Sequence, residues 1–426
     1  MKTLLKGAKY YTRQQICRGD IAIEDGVITN ISSCGDVCNE QFDRVVDLDG
    51  CVVFPGFVDV HVHLREPGFS YKERIASGTR AAARGGVTTL FTMPNLSPAP
   101  DSLENLAEQQ RLIEQDAVVN VIPYASITKG QKGCGELVDF EALAAAVCGF
   151  SDDGRGVQSA ELMREAMCEA KRVGRPIVAH CEVDDLLFGG YIHDGEYCKA
   201  NGYKGICSES EWAQVKRDIE LVEQTGCQYH VCHVSTKESV ELVREAKAKG
   251  LKVSCETAAH YLLMCDGDLQ EDGRFKMNPP IRSAADRDAL LRGIVDGAVE
   301  VVATDHAPHS AEEKSRGLAG SAFGIVGIET TFALLYTYLV LRDVITLNQL
   351  VELMSTSPRR LFAVGGGVIE VGADADLVAM DLETEYKIDP AEFLSQGRAT
   401  PFEGWSVKGR TRMTMVAGEM VYEDLR

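Results

Sequence analysis

The chain has 426 residues, 45% hydrophobic and 25% charged, with a formal charge of −20 and a pI near 4.9. That acidity repels phosphate backbones and anionic lipid, and no Lys/Arg cluster overrides it locally, so nucleic acid and membrane surfaces are excluded as partners. The opening MKTLLKGAKYYTRQQ lacks the apolar core of a secretory signal, and no stretch reaches the roughly eighteen apolar residues of a membrane span, which predicts a cytoplasmic protein.

Residues 1–52 contain short alternating runs such as GDIAIEDGVITNIS, broken at Asp-Gly, that read as antiparallel strands. From residue 54 to about 340, β-rich apolar runs alternate with stretches of helical period. Eight strands are predicted: 54–62, 86–93, 118–125, 147–150, 176–181, 228–234, 251–255 and 299–305. Helical stretches follow them, among them YKERIASGTRAAARGG, QSAELMREAMCEAKRVG and TKESVELVREAKAKG, the last two closing on glycine. The tail, with DADLVAMD and RTRMTMVAGEMVYED, returns to short alternating runs. The predicted organisation is an α/β chain with a TIM-like (β/α)8 barrel over 53–362 and a small β-sandwich made from both chain ends, 1–52 and 363–426. Fourteen cysteines form no Cys-x-x-Cys pair and read as free thiols in a reducing compartment.

Barrel enzymes carry their chemistry at the C-terminal ends of the strands. The predicted strands place His61 and His63, Asp152 and Asp153, His180, His233 and Asp305 there. Imidazoles and carboxylates in that number suit two zinc-like ions sharing a carboxylate, a device that activates water and polarises a carbonyl. In DVHVHLREPG strand alternation puts His61 and His63 on one face, with Arg65 beyond them on the same face if extension continues. The same alternation sends His230 outward, away from His233, and His306 away from Asp305 as a supporting partner; His193 and His260 read as structural. Asp305 combines the roles of ligand and proton carrier. The long glycine-bearing stretch 310–327 reads as a lid over the catalytic face.

In order along the chain, DVHVHLREPG, TTLFTMPN, GFSDDG, VAHCE, HVCHVST, KMNPPIR, TDHAPH and FGIVGIET resemble the motifs of the dihydroorotase family, bacterial barrel type, within the amidohydrolase superfamily. The resemblance spans the whole chain. It implies reversible zinc-dependent interconversion of L-dihydroorotate and N-carbamoyl-L-aspartate, the third step of pyrimidine synthesis. It further implies one Zn2+ on His61, His63 and Asp305, a second on His180 and His233, and a bridging hydroxide. Composition leaves Asp152 and Asp153 equal as the bridging ligand, and the motif match selects Asp153. By the same resemblance His63, Arg65, Asn95 and His309 hold the substrate carboxylate side, while Asn278 and the backbone of Phe323 and Gly324 address the ring. A homodimer is implied, with association to aspartate transcarbamoylase as a further partner. The rival readings are an allantoinase or hydantoinase on the same barrel, or a non-catalytic scaffold for that transcarbamoylase.

Overall fold

The structure, a computed structural model, describes residues 1–13, 15–33 and 41–425. Part of the N-terminal sandwich segment, with Cys34 and Cys38, lies outside the described residues. The chain opens with β1 (Lys2–Tyr11), β2 (Ile16–Glu24), β3 (Val27–Ser32), β4 (Arg44–Asp47) and β5 (Val52–Pro55). β1 and β2 pair antiparallel, as do β2 and β3. β1 runs parallel to β4 and β5, so the flank is a mixed sheet where an antiparallel one was expected. Strand direction here depends on pairings across a loop, which local pattern does not encode.

β6 (Phe57–Val62) begins after Gly56, so the single strand expected over 54–62 is two strands in different sheets. A Cβ at Gly56 would lie 2.1 Å from Thr88 Oγ1, and only glycine admits that approach. The barrel continues through α1 (Ile75–Arg84), β7 (Val87–Thr92), α2 (Leu103–Asp116), β8 (Asn120–Pro123), α3 (Phe140–Leu143), α4 (Ala160–Arg172) and β9 (Ile177–Ala179). After the short pair β10 (Ile192–His193) and β11 (Gly205–Ile206), flanking α5 (Glu196–Asn201), come α6 (Glu209–Thr225), β12 (Tyr229–Val231), α7 (Lys237–Ala248) and β13 (Val253–Thr257). Then follow α8 (Ala259–Leu263), α9 (Ala284–Asp296) and β14 (Val301–Val302). α4 and α7 start on Ser159 and Thr236, whose hydroxyls accept the backbone N–H of Leu162 and Ser239. Beyond their ends stand Gly174 at φ +70° and Gly250 at φ +76°.

Parallel pairing joins β6, β7 and β8, and separately β9, β12, β13 and β14. Phe150 bridges Ala125 to Ile177, and Val62 bridges to His306, closing the ring. The strand expected over 147–150 is regular only at Phe150, although Cys148 and Phe150 donate to Pro123 and Pro176 on either side. The strand expected over 299–305 shrinks to β14, because the Thr304 N–H turns to the Asp59 carboxylate at 3.1 Å and Asp305 adopts φ +46°. Val58, Val60, Phe91, Met93, Tyr124, Val178, Cys232 and Val301 fill the interior. Phe362 seals the strand-start end against Phe91, where neighbouring Leu361 accepts from Gln228.

The tail supplies β15 (Leu377–Asp381), the pair β16 (Tyr386–Lys387) and β17 (Ser406–Val407), then β18 (Arg410–Val416) and β19 (Glu419–Glu423). β15 pairs with β5 and β18, so strands from both chain ends make one eight-stranded sheet. Its halves share a core of Leu5, Ile21, Ile23, Val53, Leu377 and Met413. The twelve described cysteines are free, and among the described residues no helix is long and apolar enough to cross a membrane.

Candidate active site

The strand ends converge as the sequence predicts, though by local irregularities that alternation does not foresee. A register shift between Asp59 and Val62 in β6 re-aims His61 into the barrel mouth beside His63, with ring centroids 5.3 Å apart. His233 takes φ +33°, which swings its ring inward although Cys232 already faces the interior. Imidazole and carboxylate atoms of His61, His63 and Asp305 lie within 4.8 Å of one another, as do those of Asp153, His180 and His233. Asp153 stands between the two groups: Oδ1 is 3.4 Å from both His61 Nε2 and His233 Nε2, and Oδ2 is 3.6 Å from His63 Nε2.

Asp152 points elsewhere. Its carboxylate accepts the backbone N–H groups of Ile127 (2.8 Å), Thr128 (3.2 Å) and Gly133 (3.1 Å), pinning the loop after β8. The Asp-Asp pair thus splits into a loop anchor and a group that reaches the imidazoles.

Burial alone would favour a neutral His61, but Asp305, Asp153 and Glu256 outweigh it and hold its pKa well above the ordinary value. Burial and the nearby Arg65 push His63 down to about 4. Against burial, His61 draws both Asp153 and Asp305 well below the usual carboxylate range. A carboxylate field that would hold a proton on a buried imidazole is equally a field for a divalent cation, which competes for the same lone pair. His61 Nε2 and Asp153 Oδ1 are buried with no hydrogen-bond partner, and His180 Nδ1 faces His233 Nε2 at 2.9 Å. Such orphaned donor atoms and facing ring nitrogens fit metal ligation by this nitrogen and oxygen set.

A cavity of about 230 Å³ opens onto these groups. It falls below the roughly 300–1,000 Å³ of drug-sized sites, so it suits a small ring. His63, Arg65, Asn95, Asn278, His309, Phe323 and Gly324 all line it. The strand does not extend to Arg65, which has φ +60°, so shared strand face is not what aims it; its Nε donates to the Pro308 carbonyl at 3.3 Å. Burial lowers the guanidinium to about 10, so it stays cationic at neutral pH. His309 Nε2 lies 3.4 Å from Arg65. Asn95 donates to the Asp153 carbonyl at 2.7 Å and Asn278 to Glu182 at 3.1 Å, leaving both amide oxygens buried and unpaired. The 310–327 stretch is fastened: Lys314 donates to the Lys276 carbonyl at 3.1 Å and the Ala322 carbonyl at 2.8 Å, and Leu318 is fully buried.

Two expectations are corrected. His230 lies inside the barrel, 3.1 Å from Glu256, where an outward ring was expected; the break in alternation at His233 reverses the face. His306 faces away from Asp305 as expected but turns to Glu73 (3.5 Å) and Ser395 (3.3 Å), and among the described residues its ring makes no hydrogen bond or ion pair with the cluster it was expected to support. Sequence reasoning missed Glu256 and Glu182, whose carboxylates face His61 Nδ1 at 2.6 Å and His180 Nε2 at 3.5 Å. The signal available was a lone acid at a strand end, here in SCET and AHCE.

The family described as Dihydro-orotase-like matches residues 50–239. The chain is 49% identical to the dihydroorotase of Anoxybacillus flavithermus over 99% of both chains. It is 48% identical to that of Fusobacterium nucleatum over 99% of this chain and 98% of the other. Among solved structures it resembles the L-hydantoinase (dihydropyrimidinase) of Arthrobacter aurescens, at 27% identity and a TM-score of 0.87, covering 99% of this chain and 96% of that one. The barrel is thus shared with a hydantoinase at 27% identity, whereas dihydroorotases share near one half of the residues along the full length: the chain belongs to the dihydroorotase family.

Proposed function

We propose that this chain is a zinc-dependent dihydroorotase that interconverts L-dihydroorotate and N-carbamoyl-L-aspartate. In this reading His61, His63 and Asp305 hold one cation, His180 and His233 a second, and Asp153 both. Bound there, the cations supply Lewis acidity at a carbonyl and activate water at neutral pH. Arg65, with Asn95 and His309, grips the substrate carboxylate, and the unpaired oxygen of Asn278 accepts from a ring N–H. In hydrolysis a C–O bond forms at the ring amide carbon and the ring C–N bond breaks. The Asp305 carboxylate takes the proton from the attacking water and returns it to the departing nitrogen; ring closure runs the same path backwards.

The observation that carries this is a small cavity in which five of the six ligand-type side chains line the wall with a buried guanidinium, the sixth, His61, lying 3.4 Å from Asp153. The test is turnover of dihydroorotate, hydantoin and allantoin before chelation, after it, and after zinc, manganese or cobalt is restored. Dihydroorotate turnover lost on chelation and regained with zinc is expected. Preference for hydantoin or allantoin, or no turnover with metal bound, would overturn it in favour of a hydantoinase-like enzyme or a scaffold. The reading includes a cytoplasmic homodimer that associates with aspartate transcarbamoylase, checked by sedimentation and co-elution.

A further inference from the structure

Beneath the cavity a line of polar groups runs through an otherwise apolar barrel interior. Glu256, fully buried on β13, faces His61 Nδ1 with Oε1 at 2.6 Å and His230 Nε2 with Oε2 at 3.1 Å. The same Oε1 lies 3.4 Å from the His233 backbone N–H. His230 Nδ1 in turn lies 2.8 Å from Ser254 Oγ. Among the described residues, the ion pairs of Glu256 are with imidazoles alone.

Donor and acceptor rules fix the protons along this line. A carboxylate only accepts, so the facing nitrogens, His61 Nδ1 and His230 Nε2, each carry a hydrogen. With a cation in place of a proton at His61 Nε2, the atom turned towards Asp153 and Asp305, that nitrogen would present its lone pair to the site, and a neutral His230 would accept from Ser254 at Nδ1. Burying a carboxylate in a barrel core is unfavourable, and a neutral residue would fill the space at less cost. The geometry points to what it does there.

We propose that Glu256, backed by His230, is a positioning residue that locks His61 in its Nδ1–H form and aims Nε2 at the cation site. It acts through His61 and the His233 backbone and is absent from the cavity wall. The proposal rests on the reading that this site holds divalent cations. Partners of this kind typically contribute about 10–100-fold to metal affinity or activity.

The test uses the full chain, stripped of metal, and Glu256→Gln, which keeps shape but not charge. Zn2+ affinity is measured by competition with a chromophoric chelator, site geometry by Co2+ absorption, and apo stability by urea melting. Expected are a fall in Zn2+ affinity of at least tenfold, an altered Co2+ spectrum, a lower kcat with KM for dihydroorotate within about twofold, and little change in apo stability. Should Glu256→Gln not fold, Glu256→Asp, charged but one methylene short of His61, carries the same expectations. A folded variant with wild-type Zn2+ affinity and Co2+ spectrum overturns the positioning role while leaving the cation reading intact. A variant whose losses only follow reduced apo stability overturns it in favour of a packing role. Wild-type chain that binds neither Zn2+ nor Co2+ overturns the cation reading, and this role with it.

Discussion

Replacing Gly324 by alanine measures how tightly the cavity wall is fixed. Gly324 has φ +140°, and a Cβ there would meet the Ala307 carbonyl oxygen at 2.5 Å and His309 Cδ2 at 2.9 Å. The backbone conformation costs an L-residue about 1–3 kcal/mol, and an extra methyl in a filled site costs about 1–3 kcal/mol more. Much of the roughly 2–6 kcal/mol sum stays unrelieved, because the atom met is main chain between Asp305 and His309. That segment must move, and a displacement of order 1 Å near reacting groups lowers turnover about 10²-fold. Gly324→Ala should lose kcat/KM for dihydroorotate on that scale, in kcat through the displaced segment beside Asp305 and in KM through His309, and should melt at lower urea. Two controls separate the contributions: Gly135 at φ +87° has nothing within 4 Å of a built Cβ, and Gly365 has neither a neighbour nor a positive φ. Gly135→Ala should lose stability only, and Gly365→Ala neither. A Gly324→Ala enzyme indistinguishable from Gly135→Ala in kinetics and melting would refute the reasoning.

Asp305→Asn should lower kcat by about 10³-fold while elemental analysis finds metal still bound to the remaining ligands; near-wild-type turnover would end its role as proton carrier. Arg65→Lys keeps a charge but not the planar fork, so KM for dihydroorotate should rise at least about tenfold, or about 1.4 kcal/mol; an unchanged KM would move carboxylate binding elsewhere. Burial, with Lys276 close by, draws Lys314 down to about 7. An unfolded lysine titrates near about 10.4, so between the two values the unfolded chain binds the extra proton and stability rises with pH, by at most about 1.4 kcal/mol per unit. Below the folded value the penalty is complete. Urea melts should therefore show wild type gaining on Lys314→Met as pH rises from about 7 towards 10, and parallel curves would sink the assignment.

The barrel is legible where burial is continuous. Phe57–Val62 and Val87–Thr92 are buried at every position, so runs rich in β-branched and aromatic residues mark them, and the end of the first locates His61 and His63. The boundary between β5 and β6 is not, because it depends on how closely Gly56 approaches Thr88, a residue some thirty positions away. The split of Asp152 from Asp153 is hidden for a similar reason: what claims Asp152 is the backbone of another loop. The motif match selected the residue that reaches the imidazoles, where composition had no means to choose.

The site's misread residues share a cause. Alternation assumes an unbroken strand, and no unbroken strand can send both Cys232 and His233 into one barrel interior. The chain manages it by placing His233 at φ +33°, and it does likewise with Arg65 at +60° and Asp305 at +46°. Three of the nine described non-glycine residues with positive φ therefore border one cavity, a concentration that marks the cavity as the place where regularity is given up. Each costs about 1–3 kcal/mol, and the surrounding contacts that hold them include Glu256 on the His233 N–H and Pro308 on Arg65. His230 was misread and Glu256 passed over because they belong to this holding layer: Glu256 stands as a lone acid at a strand end, and its partners become visible only once the left-handed turn at His233 is known. Ligand types can be read from strand ends, but the groups that aim them are set by the backbone that departs from the strand.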